Sequence, residues 1–316
     1  MPSPSLSPSI SVPAPPVPVP LSSSRDQWIG VLLVVLAAVS FGMAAIFARF
    51  AVASGADVFG LLTVRFTIAT AALAGVARWR SIAFPPPRRM LALAAMGGIG
   101  YTGQAYCYFA ALDHAQASLV SLLLYTYPVL VAVLASLFLK ERLTTMAMAA
   151  LILCSVGTAL TVGGGQGSAL GISLGLGAAV IYSIYIVVGT RVTRGIDPIA
   201  CSTVICSAAA VVYVAVTVVR HVAGTPVHFP GDTGGWIAVI AIALVSTVVA
   251  ILSFLAGLQR LGATRASMLS TLEPVVTVAL AALLLGESMT ATQLVGGALI
   301  LGGVLWLAAG GRQRFN

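Results

Sequence analysis

Along the chain, long apolar runs alternate with short polar turns. The runs lie near 28–48, 58–77, 90–112, 117–138, 146–163, 169–190, 199–219, 236–258, 264–285 and 291–309. Each is about 20 residues long, the length of helix that crosses a hydrocarbon core of roughly 30 Å. Within each run the apolar residues are continuous and do not alternate with polar ones. Backbone polar groups in lipid must be satisfied inside the segment, so the runs read as helices and not as barrel strands. The pattern predicts an all-α integral membrane protein with ten transmembrane helices.

Composition agrees with this reading and excludes a soluble one. The 316 residues are 59% hydrophobic and 8% charged, with a mean hydropathy of +1.06. A soluble domain of this size has no interior for so much apolar surface. The first 24 residues, "MPSPSLSPSISVPAPPVPVPLSSS", carry proline every two or three positions, which excludes a helix and predicts a disordered Pro/Ser-rich tail. The tail lacks the basic start and apolar core of a cleaved signal, so the first span is expected to direct its own insertion.

The net charge of +8 changes meaning once the spans are drawn. With a cytoplasmic N-terminus, the inside segments hold Arg25, Arg78, Arg80, Arg88, Arg89, Lys140, Arg142, Arg191, Arg194, Arg260, Arg265, Arg312 and Arg314, and the outside segments hold only Arg49 and Arg220. This bias is the signature of membrane orientation. It also supports ten spans, because losing or adding one would move every later loop to the wrong side.

The chain repeats itself. Residues 108–160 align without gaps to 254–306 at a separation of 146, pairing Pro128 with Pro274, Glu141 with Glu287, Thr144 with Thr290 and Gly157 with Gly303. A weaker match at a separation of 140 pairs Gly55 with Gly195 and Asp57 with Asp197. The expected organisation is a tail (1–24), a first five-helix half (25–163), a second (169–309) and a cytoplasmic tail (310–316). Five is odd, so the second half enters the membrane inverted. "KER" at 140–142 then faces the cytoplasm while its counterpart "GES" at 286–288 faces out. Two inverted halves can exchange conformations and open a shared central cavity to each side in turn.

The segments "YPVLVAVLASLFLKERLT" and "EPVVTVALAALLLGESMTATQLVGGALILGGVL", with "VSFGMAAIFARFAV" and "VRFTIATAALAGV" in the first two spans, resemble the EamA-type families of the drug/metabolite transporter superfamily. The resemblance covers about 28–309 and includes P-(x)12-E-(x)2-T in both halves. It departs at Phe41-Gly42, where the family pattern has Trp-Gly. Among ten-helix members it points to bacterial exporters of amino acids, aromatic ones included, and so implies the inner membrane.

Ionisable residues at bilayer depth are expensive and are functional candidates by default. Two qualify. Arg65 lies roughly 10 Å below the outer face, and Glu273 near mid-depth, at about 1.5 Å of rise per residue. In a transport reading Arg65 takes the carboxylate of a zwitterionic substrate, and Glu273 takes its ammonium group or a coupling proton. In the alternative, the two neutralise each other or bond to backbone freed by Pro274. Pro128 and Pro274 remove backbone donors at equivalent places and are candidate breaks or hinges. Tyr101, Gln104 and Tyr108 share one helical face at i, i+3 and i+7. Tyr101 and Gln104 join Ser40, Tyr127, Tyr182, Tyr185 and Ser246 near the midplane as candidate cavity walls for an organic molecule.

What is missing narrows the function further. The sole lysine, Lys140, lies in a loop, so a phosphorylated substrate would lack its basic clamp. His114, His221 and His228 fall in outer loops, and Cys107, Cys154, Cys201 and Cys206 lack disulfide or zinc spacing. "GGGQG" at 163–167 lacks the lysine of a phosphate loop. No cofactor or metal is expected, and no nucleophile, base and oxyanion set can be assembled at one depth. The expected partners are a small-molecule substrate and the lipid bilayer, not nucleic acid, with no oligomer dictated. The reading is a secondary transporter of small organic metabolites, with a passive pore as the nearer rival and a membrane-embedded enzyme as the remoter one.

Overall fold

The computed structural model describes residues 24–139, 166–270 and 272–310, together with 145, 148–149, 152–153, 156–157 and 159–160. Most of the Pro/Ser-rich tail, the 140–142 turn, Cys154 and the last six residues lie outside this set. The described residues are helical apart from turns and one isolated bridge between Ala115 and Gly167. The first helix starts at Ser24, the last residue of the expected tail.

In chain order the helices are α1 (Ser24–Gly42), α2 (Ala44–Ala53), α3 (Val58–Trp79), α4 (Pro87–Ala95), α5 (Thr102–Leu112), α6 (Ala117–Leu124), α7 (Tyr127–Leu139), α8 (Ala169–Val192), α9 (Pro198–Val222), α10 (Thr233–Ala243), α11 (Ala250–Leu269), α12 (Leu272–Leu284) and α13 (Ala291–Gly310). A π-turn, Met96–Tyr101, joins α4 to α5, and a second, Leu244–Val249, joins α10 to α11. Five continuous segments have the length and apolarity to cross a membrane: Arg25–Ala53, Val58–Trp79, Ala169–Val192, Pro198–Val222 and Thr233–Leu261. Three shorter apolar helices lie at Ala117–Val131, Val275–Leu284 and Ala291–Gly303. The third expected span is helical from Pro87 to Leu112, but tyrosines, glycines and Gln104 dilute its apolar character.

Helix breaks fall where the repeat pairs the halves. The chain leaves helical geometry between α6 and α7, before Pro128, and again between α11 and α12, before Pro274. Both prolines therefore sit in the first turn of a new helix, where the missing N–H costs nothing. The hydroxyls of Thr126 and Ser270 bond back to the Leu123 and Ala266 carbonyls, which also accept from the Thr126 and Ser270 amides, so the last turn before each break is doubly tied. Gly55 and Gly195 both adopt positive φ, +94° and +72°. Two residues later, Asp57 and Asp197 cap α3 and α9 by accepting from the Gly60 and Ile199 amides at 2.7 Å. The turn expected between the eighth and ninth spans is instead helical, since α11 continues to Leu269; that stretch holds one glycine and no proline.

Elements of one half pack mainly on those of the other: α1 on α11, α5 on α8, α3 on α9, and α6 on α12. Close approach depends on small residues. A Cβ on Gly97 would strike the Ile205 carbonyl of α9, as in membrane bundles held by backbone proximity. The turns gather at two ends. At one, Arg49 Nη2 donates to Ala115 O at 2.7 Å, Ser168 N to His114 O at 2.9 Å, Gly231 N to Ser54 O at 2.8 Å and Asp57 N to His228 O at 3.0 Å. Glu287 joins this end, accepting from the Ala117 amide (3.0 Å), the Ser118 amide (3.2 Å) and the Ser118 hydroxyl (2.8 Å) at the start of α6. At the other, Arg89 Nη1 donates to Arg194 O at 3.2 Å, Arg191 Nη2 to Phe138 O at 3.3 Å, and Gln259 Nε2 to Ile196 O at 2.9 Å.

Candidate functional site

Between the halves lies a narrow cavity lined by Phe41, Ala44, Arg65, Tyr101, Gln104, Tyr108, Phe109, Leu124, Tyr182 and Glu273. α1 to α3 contribute Phe41, Ala44 and Arg65. The first π-turn and α5 contribute Tyr101, Gln104, Tyr108 and Phe109, while Tyr182 comes from α8 and Glu273 from the first turn of α12. The three-residue face at 101, 104 and 108 therefore forms one wall as its spacing predicts.

Arg65 is held on several sides. Its Nε donates to Thr247 Oγ1 at 2.7 Å and its Nη2 to the Tyr101 hydroxyl at 3.0 Å. The guanidinium carbon lies 5.0 Å from the centroids of both Phe66 and Phe109, within cation–π range. Nη1 has no protein partner among the described residues. Glu273 accepts from the Tyr125 hydroxyl through Oε2 at 2.6 Å, and its Oε1 has no such partner. The two side chains are 3% and 8% exposed, yet they form no ion pair with each other within 4.0 Å. Neither bonds to backbone freed by Pro274. Their partners are Thr247, Tyr101 and Tyr125.

Tyrosines fill the space behind the cavity. Successive ring centroids run Tyr125 to Tyr127 at 5.3 Å, Tyr127 to Tyr182 at 4.7 Å, Tyr182 to Tyr185 at 6.0 Å and Tyr185 to Tyr101 at 5.9 Å. This continuous run of ring contacts, mostly tilted or edge-on, leads from the partner of Glu273 to a partner of Arg65. It explains why Tyr127 and Tyr185, expected on the wall, do not line the cavity: they support residues that do. Ser40 is buried beside Phe41 and does not line it either. Ser246 is fully buried with its hydroxyl unpartnered. Gly42 lets α1 approach α12, since a Cβ there would lie 2.9 Å from the Glu273 carbonyl, and Thr277 Oγ1 donates to Gly42 O at 2.9 Å. The sequence reading missed Tyr125, Thr247, Phe109, Ala44 and Leu124 as parts of the site.

A smaller pocket lies toward the end that holds Arg49, lined by Ala48, Arg49, Val52, Val58, Leu61, Phe109, Leu112 and Asp113. Phe109 belongs to both pockets. Burial makes Asp113 hold its proton more tightly than an ordinary carboxyl, with His114 and Arg49 acting against that.

The profile of the EamA-like transporter family matches the chain twice, over residues 28–163 and 169–309. The chain belongs to the EamA-like transporter family. An uncharacterized transporter of Archaeoglobus fulgidus is 28% identical over 87% of the chain and 95% of its own length. The uncharacterized transporter YcbK of Bacillus subtilis is 25% identical over 93% of the chain and 96% of its own. A solved crystal structure with 22% identity superposes at a TM-score of 0.67, covering 91% of this chain and 99% of that one, and shows the same fold. This EamA-like protein is thus a multi-pass membrane transporter, and the Arg65–Glu273 cavity is its candidate substrate site.

Proposed function

We propose that the protein is a secondary transporter that exports amino acids, aromatic ones included, across the inner membrane by alternating access, with both termini cytoplasmic. The observation that carries this reading is the pair of unjoined ionisable side chains, one basic and one acidic, on one aromatic-lined cavity. Burying a charge without an ion-pair partner is costly, and a purely structural pair would gain by closing the gap. Arg65 Nη1 and Glu273 Oε1 instead remain available, and neither is among the buried polar atoms lacking a partner. A zwitterion offers a carboxylate to the first and an ammonium group to the second. Phe41, Tyr101, Tyr108, Phe109 and Tyr182 on the walls suit an aromatic side chain.

Ten spans in two inverted halves are part of the same proposal. In support, Glu287 meets the N-terminus of α6, and α7 ends at the opposite, arginine-rich end. The paired caps Asp57 and Asp197 likewise stand at opposite ends. The pairing of α1 with α11 and of α5 with α8 is what a two-fold exchange of halves would generate.

Counterflow in proteoliposomes tests the function. Unlabelled amino acid loaded inside is expected to accelerate uptake of labelled L-phenylalanine, because a carrier returns faster when occupied. Uptake indifferent to internal amino acid would indicate a pore, and chemically altered label an enzyme; either contradicts the proposal.

A further inference from the structure

Both π-turns converge on Arg65. The last residue of the first, Tyr101, accepts from Nη2, and Thr247 within the second accepts from Nε. Thr247 is fully buried and its hydroxyl is engaged twice: it donates to the Ile242 carbonyl at 2.9 Å and accepts from Arg65 Nε at 2.7 Å. The donation fixes the direction of the hydroxyl dipole, since its only proton is on the Ile242 side and a lone pair faces the guanidinium. Ile242 is five residues back, the spacing of the π-turn itself. Thr102 Oγ1, just after the first π-turn, repeats this by donating to the Gly97 carbonyl at 2.9 Å, also five residues back.

We infer that Thr247 is a positioning residue for substrate recognition. It locks the Nε edge of the guanidinium against the second π-turn, so that Nη1 faces the cavity and discriminates for a carboxylate. The inference rests on the proposed amino-acid reading and adds to it the residue that sets carboxylate specificity. The π-turn has a definite role here. Its extra residue rotates the downstream helix by about 100° relative to an unbroken one, bringing Thr247 into reach of Arg65 and leaving the neighbouring Ser246 hydroxyl unpartnered. Thr247 is not among the residues that line the Arg65–Glu273 cavity; it acts through Arg65.

The test uses purified full-length protein and three probes: L-phenylalanine, 3-phenylpropanoate and phenethylamine, which differ in the carboxylate and the amine. Thr247→Val keeps the shape and removes the hydroxyl, and Thr247→Ser restores it. Binding of L-phenylalanine and 3-phenylpropanoate is expected to weaken about tenfold in Thr247→Val, the scale of a lost hydrogen bond to a charged group. Phenethylamine binding should change less than twofold, and Thr247→Ser should recover the wild-type values. In transport the loss should appear in KM, with kcat within about twofold. Should Thr247→Val not accumulate as folded protein, Thr247→Ala provides a smaller variant without the hydroxyl. Equal weakening of all three probes, no weakening, or failure of serine to rescue would overturn the role of Thr247 while leaving the cavity assignment standing. Wild-type protein that binds neither carboxylate probe would overturn the amino-acid reading, and this inference with it.

Discussion

Arg65 and Glu273 differ in how their side chains are held, and the difference suits them to the different roles proposed for them. Arg65 is fixed by two hydroxyls and two ring faces, a rigid arrangement suited to recognising a planar anion. Glu273 has one donor, Tyr125, and stands in the first turn of a helix beside a break, where a change in its state can move the helix. Glu273→Gln, which keeps the shape and an oxygen for the ammonium group but removes the titratable group, is expected to retain exchange of L-phenylalanine at a raised KM while losing accumulation driven by a proton gradient. Parallel measurement of exchange and gradient-driven uptake in one proteoliposome preparation checks this; undiminished accumulation would remove Glu273 from coupling. Both charged residues were legible in the sequence because an ionisable group in an apolar run has few structural reasons to be there. Their partners were not. Tyr125 is one of many tyrosines, and Thr247 is brought to Arg65 by a local change of helix phase that α-helical periodicity does not encode.

Among the elements, helices interrupted near mid-course surround the cavity: two by π-turns, two by breaks ahead of a proline, and the first span by a turn at Met43 between α1 and α2. The glutamate of the repeated P-(x)12-E-(x)2-T pattern acts at this scale. Glu287 caps α6, a helix of the other half, placing a carboxylate on free amide donors at a positive dipole end. Glu287→Ala should cost about 1 kcal/mol of stability and speed hydrogen exchange at the Ala117 and Ser118 amides by severalfold, with distant helices unaffected. Hydrogen exchange by mass spectrometry reads this directly, and unchanged protection at 117–118 would contradict the capping role. The apolar runs and the prolines announced where helices would lie and where two would break. The extension of α11 across an expected turn, and both π-turns, were not visible, because they arise from backbone hydrogen bonding that these apolar sequences, one π-turn rich in glycine and the other without any, permit but do not specify.

For the molecule as a whole, the arginines divide as the hydrogen bonds do. Arg89, Arg191 and Arg194 gather at one end, and Arg49 lies at the other, which Glu287 closes. The charge count from sequence assigns those three arginines to the cytoplasmic side and Arg49 to the outer side, an expectation that rests on the insertion rule for loop charge. The cavity was legible only as a set of depths; which residues face it depended on packing between halves. The central claim is that two related halves thread the bilayer in opposite senses around the Arg65–Glu273 cavity. Its most direct test is the sidedness of single cysteines, Arg142→Cys and Ser288→Cys, in an otherwise cysteine-free chain exposed to a membrane-impermeant maleimide in intact cells. The account predicts that residue 288 is labelled from outside and residue 142 only after the membrane is opened. Labelling of both from the same side would contradict it.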